Sequence, residues 1–289
     1  MKYNGVLNIY KEKGYTSNDV VCILRKILGM KKIGHGGTLD PDVTGVLPLL
    51  LGQGTKLSEV ILNKDKEYIG EMIFGQETTT KDASGEIINQ SAHRPKKKEV
   101  EEFFQKISST TIEQIPPMYS AVKVKGKKLY EYARKGEEIQ RKTRRVQIGD
   151  MELIRQYKNR VVFRVQCSKG TYIRTLVDDI GKELGSYAYL SHLIRTKTAG
   201  LSIEESISLK QVSTIKNIED WIHPMDEFLQ DLEALEMDGE KAKILCQGGF
   251  LPFDGKVGNY RLYHQDQFIG ILETRDRERR YLKMKKRLL

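Results

Sequence analysis

Residues 34–48 read GHGGTLDPDVTGVLP, where four glycines and two prolines surround one histidine and two carboxylates. Asp40 is the group in this stretch best suited to reactive work. Gly34, Gly36 and Gly37 remove side-chain bulk just before it, which lets a backbone or a substrate approach closely. Leu39 and the run GVLPLLLG give Asp40 an apolar surround, where a carboxylate is poorly solvated and needs a partner to stay charged. Arg174, in the apolar motif GTYIRTLV, suits that partnership. Two other readings stay open. Asp42 offers a second carboxylate for a glycosidase-like pair, and Asp followed by Pro is a favourable helix cap and first-turn pair.

Other chemistries have less support. GQGTKL at 52–57 is not a GxxxxGK[ST] phosphate loop, and GHGG is followed by LDP and not by a helix. His35, His93, His192, His223 and His264 have no short spacing to one another or to a cysteine, so they do not read as metal ligands. No GxSxG elbow supports a serine nucleophile. Cys22, Cys167 and Cys246 are scattered without a CxxC pair, which points to a reducing, cytoplasmic setting. The apolar run at 45–52 is too short to cross a bilayer, and the first residues lack the pattern of a signal peptide.

The elements that must position these groups are legible in outline. SNDVVCILRKILG (17–29) places Val20, Leu24, Ile27 and Leu28 on one helical face, with Ser17 as cap and Gly29 as stop. Residues 67–76 and 160–167 read as strands, the latter with Val161, Phe163, Val165 and Cys167 on one face. TYIRTLVDDIGKELG reads as a helix closed by Gly185, so that Arg174 falls in its first turn. A second amphipathic helix lies within 93–108. Strands and helices alternate without regular βαβ units, which predicts an α+β fold. After about residue 235 the pattern becomes short strands and turns, predicting a small all-β appendage.

Lys and Arg number 49 against 39 acidic residues, a formal charge of +10 that favours an anionic partner, nucleic acid first. The excess is concentrated. Residues 123–145 hold ten basic residues and three glutamates around Tyr130 and Tyr132, and the tail 275–287 holds eight basic residues and two acidic ones. Basic clusters with interleaved aromatics suit RNA or single-stranded contact.

The stretch GHGGTLDPDVTGVLPLLLGQGTKL resembles the signature of the TruB family of tRNA pseudouridine synthases. The resemblance continues in KEKGYTSNDVV, DKEYIGEMIFGQETTTKDASGEI, IPPMYSAVKVKGKKLYEYARKGEEI, GTYIRTLVDDIGKELG and YLSHLIRTKTAG, in the family's order over most of residues 5–200. It implies a mixed, mostly antiparallel central sheet flanked by helices in a catalytic domain at 1–235. It also implies an RNA-binding arm inserted at 116–145 and a β-rich, PUA-like RNA-binding domain at 236–289. The implied activity is isomerisation of the T-loop uridine of tRNA to pseudouridine, without cofactor or metal. The implied partner is the tRNA T-arm, bound by a monomer with no obligate protein partner and no membrane. Asp40 matches the family's catalytic aspartate, Tyr68 the tyrosine that stacks on the base and is implicated in removing its C5 proton, and Arg174 the arginine paired with the aspartate. Tyr172 and Leu193 match pocket walls, and His35 matches a residue that fills the stack left by the flipped base. Lys11 and Asp82 match RNA-contacting positions, and the glycines would admit the RNA backbone. Glu12, Gly36, Asp42 and Ile194 depart from the family's usual residues, but none of these changes touches Asp40, Tyr68 or Arg174.

Overall fold

The computed structural model describes residues 2–120, 122–275 and 280–289, so residues 276–279 of the predicted basic tail lie outside it. An eleven-stranded mixed sheet forms the body of the molecule. Its main strands are β1 (Gly5–Lys11), β2 (Ile33–His35), β3 (Thr44–Leu51), β4 (Lys66–Phe74), β5 (Thr111–Gln114), β6 (Arg144–Tyr157), β7 (Arg160–Cys167) and β8 (Ala188–Thr198). They run in the order β1, β3, β8, β4, β7, β6, β5, with β2 pairing β3 to one side. Within that order β3 and β8 pair in parallel, whereas β4 pairs antiparallel with both β8 and β7. The sheet is therefore mixed and mostly antiparallel, in the α+β class that the sequence predicts.

Side-chain alternation gives the sheet two apolar faces. On one, Leu7, Leu49, Met72 and Phe163 meet the stripes of α1 (Ser17–Leu28), α3 (Lys97–Ile107) and α4 (Ile173–Glu183). On the other, Val6, Val46 and Leu50 meet Ile61 of the helix α2 (Ser58–Asn63) together with Phe228, Leu229, Ile271 and Leu288. The second core thus joins the end of the chain to the back of the main sheet. Cross-links reinforce it: Lys286 Nζ donates to the Lys56 carbonyl at 3.1 Å and Lys56 Nζ to the Arg287 carbonyl at 2.6 Å. Part of the basic tail is therefore engaged in holding the molecule together.

Three local expectations are corrected. The cap of α1 is Thr16, whose hydroxyl accepts from the Asp19 amide while Asp19 accepts from the Thr16 amide, a reciprocal box. Ser17 is instead buried as the first helical residue. The C-terminal sheet, β9 (Glu233–Glu236), β10 (Phe250–Pro252), β11 (Asn259–His264), β12 (Gln267–Arg275) and β13 (Tyr281–Arg287), is not all-β. Asp238 caps a helix, α5 (Gly239–Cys246), which buries Ala242 and Leu245. The basic arm carries two short strands and a helix turn at Leu129–Ala133, and its last two residues, Arg144 and Arg145, already belong to β6. Among the described residues no helix is long and apolar enough to cross a membrane.

The close approach of β3 to β8 depends on Gly45, which has φ +104° and faces the Arg195 backbone where a Cβ would collide with the carbonyl oxygen. Gly34 has only a Thr55 methyl at 3.9 Å from the position of a Cβ. Gly45→Ala is expected to lower stability by at least about 2 kcal/mol in thermal unfolding, and Gly34→Ala to stay within about 0.5 kcal/mol of wild type.

Candidate active site

Asp40 lies in the loop between β2 and β3, and no helix follows it. Val43 N–H donates to the Asp40 carbonyl at 3.1 Å, so residues 40–43 form a β-turn with Asp at the first corner and Pro41 at the second, both favoured there. This replaces the helix-cap reading. The loop is gripped from two sides. Ser17 Oγ accepts from the Leu39 amide at 2.9 Å and donates to its carbonyl at 3.2 Å. Lys11 has no exposed surface, and its ammonium donates to the carbonyls of Glu12, Tyr15 and Pro41 at 3.1, 2.7 and 3.1 Å. Burial pulls its pKa down to about 8. Lys11 therefore anchors the Asp40 turn from beneath, and the expected direct contact with RNA is corrected.

The glycines serve the protein's own packing. A Cβ on Gly36 would press on Ile61 and Pro48, and one on Gly37 would stand 3.2 Å from Arg195 Nη1. Gly36 and Gly37 admit side chains of the fold.

Arg174 projects from the first turn of α4 and is 8% exposed. Its fork joins three segments: Nη2 meets Asp40 Oδ2 at 2.9 Å and the Tyr119 carbonyl at 2.9 Å, and Nη1 meets Asp82 Oδ2 at 3.2 Å and the Thr80 carbonyl at 3.3 Å. Asp82 in turn accepts from the Thr80 hydroxyl at 2.6 Å and the Ser84 amide at 3.0 Å. One turn along α4, Asp178 is fully buried and pairs with Lys81 at 2.5 Å and Lys182 at 3.0 Å. Residues i and i+4 of one helix face thus hold the consecutive residues Asp82 and Lys81. Asp82, expected at the RNA, is engaged by Arg174 and still lines the outer cleft.

These groups surround a cavity of about 300 Å3 lined by Asp40, Tyr68, Tyr172, Arg174, Leu193 and Arg195. It opens into a cleft of about 610 Å3 that shares Asp40, Tyr119, Arg174 and Leu193 and adds Asp82 and His192. The Asp40 side chain is 48% exposed at the cavity's edge; loss of hydration there pushes its carboxyl above the ordinary range, Arg174 draws it back, and Asp82 pushes it up again. Tyr68, on β4, is buried, which pushes its phenol up. The sequence reasoning missed Arg195, and Lys66, whose ammonium donates to the Leu62 carbonyl at 2.9 Å and is pulled down to about 8 by burial. His35 is absent from the lining of either cavity. Its Nδ1 meets the Gly37 carbonyl at 2.9 Å, and burial lowers its pKa, which favours a neutral ring with the proton on Nδ1.

Comparison with known proteins places this site in a family. Residues 25–173 match the TruB family pseudouridylate synthase N-terminal domain, and residues 174–235 the tRNA pseudouridylate synthase B C-terminal domain. The tRNA pseudouridine synthase B of Streptococcus pneumoniae serotype 2 (strain D39) is 45% identical over 285 residues, covering 94% of this chain and 96% of that protein. The chain belongs to the TruB family of pseudouridylate synthases. The TruB-family enzyme of Alkaliphilus oremlandii, also a tRNA pseudouridine synthase B, is 40% identical over 291 residues, or 97% of each chain. A chain in the crystal structure of a Cbf5–Nop10–Gar1 complex shares the fold, with a TM-score of 0.76 at 24% identity, covering 99% of this chain and 85% of its own. The protein is thus a pseudouridine synthase, an isomerase converting uridine to pseudouridine in tRNA.

With Asp40 working as a carboxylate, the acid limb of the single-turnover pH–rate profile should lie above the ordinary aspartate range. Asp82→Asn removes a like charge and leaves Asp40 as the one carboxylate on Arg174. The limb should then move to lower pH, whatever the height of the plateau; an unmoved limb would contradict the coupling.

Proposed function

We propose that the enzyme acts on the T-loop uridine of tRNA, with Asp40 as the reactive carboxylate at the ribose. The observation that carries this reading is the convergence of Asp40, Tyr68 and Arg174 on one recessed cavity. Isomerisation breaks the bond from ribose C1′ to uracil N1, turns the detached base, and joins C1′ to C5. The C5 proton leaves and N1 gains one. Each stage needs a pocket that keeps the free base from escaping.

Arg174 keeps Asp40 charged in that recess, since an ion pair with a guanidinium offsets the lost hydration. Tyr68 presents an aromatic face to the pyrimidine and a hydroxyl for the C5 proton. Tyr172 and Leu193 form the walls that hold the base in orientation. A uridine stacked in a folded loop must leave its stack to reach this carboxylate, and His35 takes up the vacated space.

The arm at 116–145 closes over the T-arm. Its exposed lysines suit phosphates, and Tyr130 carries Lys128 and Arg134 at 5.4 and 5.3 Å from its ring centre. The unit at 236–289 acts as a PUA-like RNA-binding domain. The chain works as a monomer in the cytoplasm without a protein partner.

A T-arm transcript carrying tritium at uridine C5 tests the reaction. Wild type should release tritium, and Asp40→Asn should release none while keeping RNA affinity within about threefold. Tight binding without release by wild type would favour a role in RNA folding, and release by both would exclude Asp40. Replacing Lys123, Lys125, Lys127 and Lys128 with Ala should reduce the slope of log affinity against log salt by about three. An unchanged slope would exclude those lysines from phosphate contact.

A further inference from the structure

Two charged side chains of the cavity, Lys66 and Arg195, have no task in the reaction as described above. Arg195 stands on β8 directly opposite Tyr68 of β4 and opposite Gly45 of β3. It is 1% exposed, and its Nε donates to the Val46 carbonyl at 2.8 Å. Gly37 leaves room for the fork, and Nη2 has no hydrogen-bond partner among the described residues. A buried guanidinium with an idle donor is costly to maintain. Directly across the strand pair lies Tyr68, near enough for the guanidinium's charge to act on the phenol. Burial makes that phenol hard to ionise, Arg195 acts against this, and Cys167 and Asp40 add to the difficulty. Lys66 lines the same cavity.

We propose that Arg195 is a positioning residue that holds the Tyr68 oxygen in place and balances the negative charge this oxygen carries when it takes the C5 proton. The inference rests on the assignment of proton removal to Tyr68. Once C1′ is joined to C5, the C5–H bond breaks and its electron pair returns to the ring. The proton passes to the phenolate oxygen, giving a neutral phenol that later loses it to solvent. The guanidinium keeps all its protons throughout.

Single-turnover rates test this with Arg195→Gln, Arg195→Lys, Tyr68→Phe and the Arg195→Gln/Tyr68→Phe double variant, on transcripts with hydrogen or deuterium at the target C5. Arg195→Gln should slow isomerisation about a hundredfold and enlarge the deuterium isotope effect, because the proton-removal step is the one impaired. Arg195→Lys, which keeps the charge but not the fork, should recover part of the rate. In the Tyr68→Phe background the same Gln change should cost less than about threefold. A full further hundredfold loss there, or an isotope effect equal to that of wild type, would overturn the proposal. Wild-type activity in Tyr68→Phe would instead overturn the assignment of Tyr68. Thermal melting checks each variant; if Arg195→Gln is unfolded, Arg195→Lys carries the same cycle and the same isotope comparison, and if Tyr68→Phe is inactive the isotope effect decides.

Discussion

Arg174 brings one positive charge into a recess where two carboxylates and two carbonyls wait for it. The carboxylates come from segments far apart in the chain, the turn at Asp40 and the loop at Asp82. Remove the guanidinium and two carboxylates, Asp82 largely covered and Asp40 about half exposed, face each other without a compensating charge. Much of the surrounding structure serves this junction. Ser17 and Lys11 fix the Asp40 turn, Lys81 and Asp178 fix the Asp82 loop to α4, and Tyr119 ties in the root of the basic arm.

This arrangement makes the Asp40 carboxylate a compromise. Asp40 loses enough hydration for its carboxyl to be pushed up, yet its ion pair opposes protonation. The Arg174 fork is shared, so the charge available to Asp40 depends on how firmly Asp82 competes for it. Approach of an RNA phosphate, or displacement of the Tyr119 carbonyl as the arm moves, acts on the same fork. Under the proposed function, chemistry at Asp40 and closure of the arm would both draw on this one side chain.

Local patterns carried much of the architecture. The alternation of Val161, Phe163, Val165 and Cys167 marked β7 residue for residue, and the stripe from Ile173 to Ile180 marked α4 with Arg174 in its first turn. The placement of Asp40 near Arg174 was legible because a carboxylate among apolar residues demands a cation. What the sequence hid depends on tertiary geometry. Alternation along β8 puts Leu193 and Arg195 on one face, but nothing local announces that β4 sets Tyr68 directly opposite Arg195. Lys11 was expected at the RNA because nothing local announces three carbonyls converging on it. Gly36 and Gly37 looked like a ligand loop, whereas the bulk they lack is supplied by Ile61 and Arg195 of the fold itself. The Thr16 cap was overlooked in favour of its neighbour, although Asp19 three residues on completes the reciprocal box.

The most direct test of this account is the titration of the Asp40 carboxyl itself. NMR of isotope-labelled aspartate Cγ, with the signal assigned by its absence in Asp40→Asn, would follow it in wild type and in Arg174→Met. The account predicts a midpoint above the ordinary aspartate range in wild type and a further rise in Arg174→Met, since burial remains while the compensating cation is gone. A midpoint that does not move on loss of Arg174, or one below the ordinary range in wild type, would contradict the claim that this ion pair governs the site.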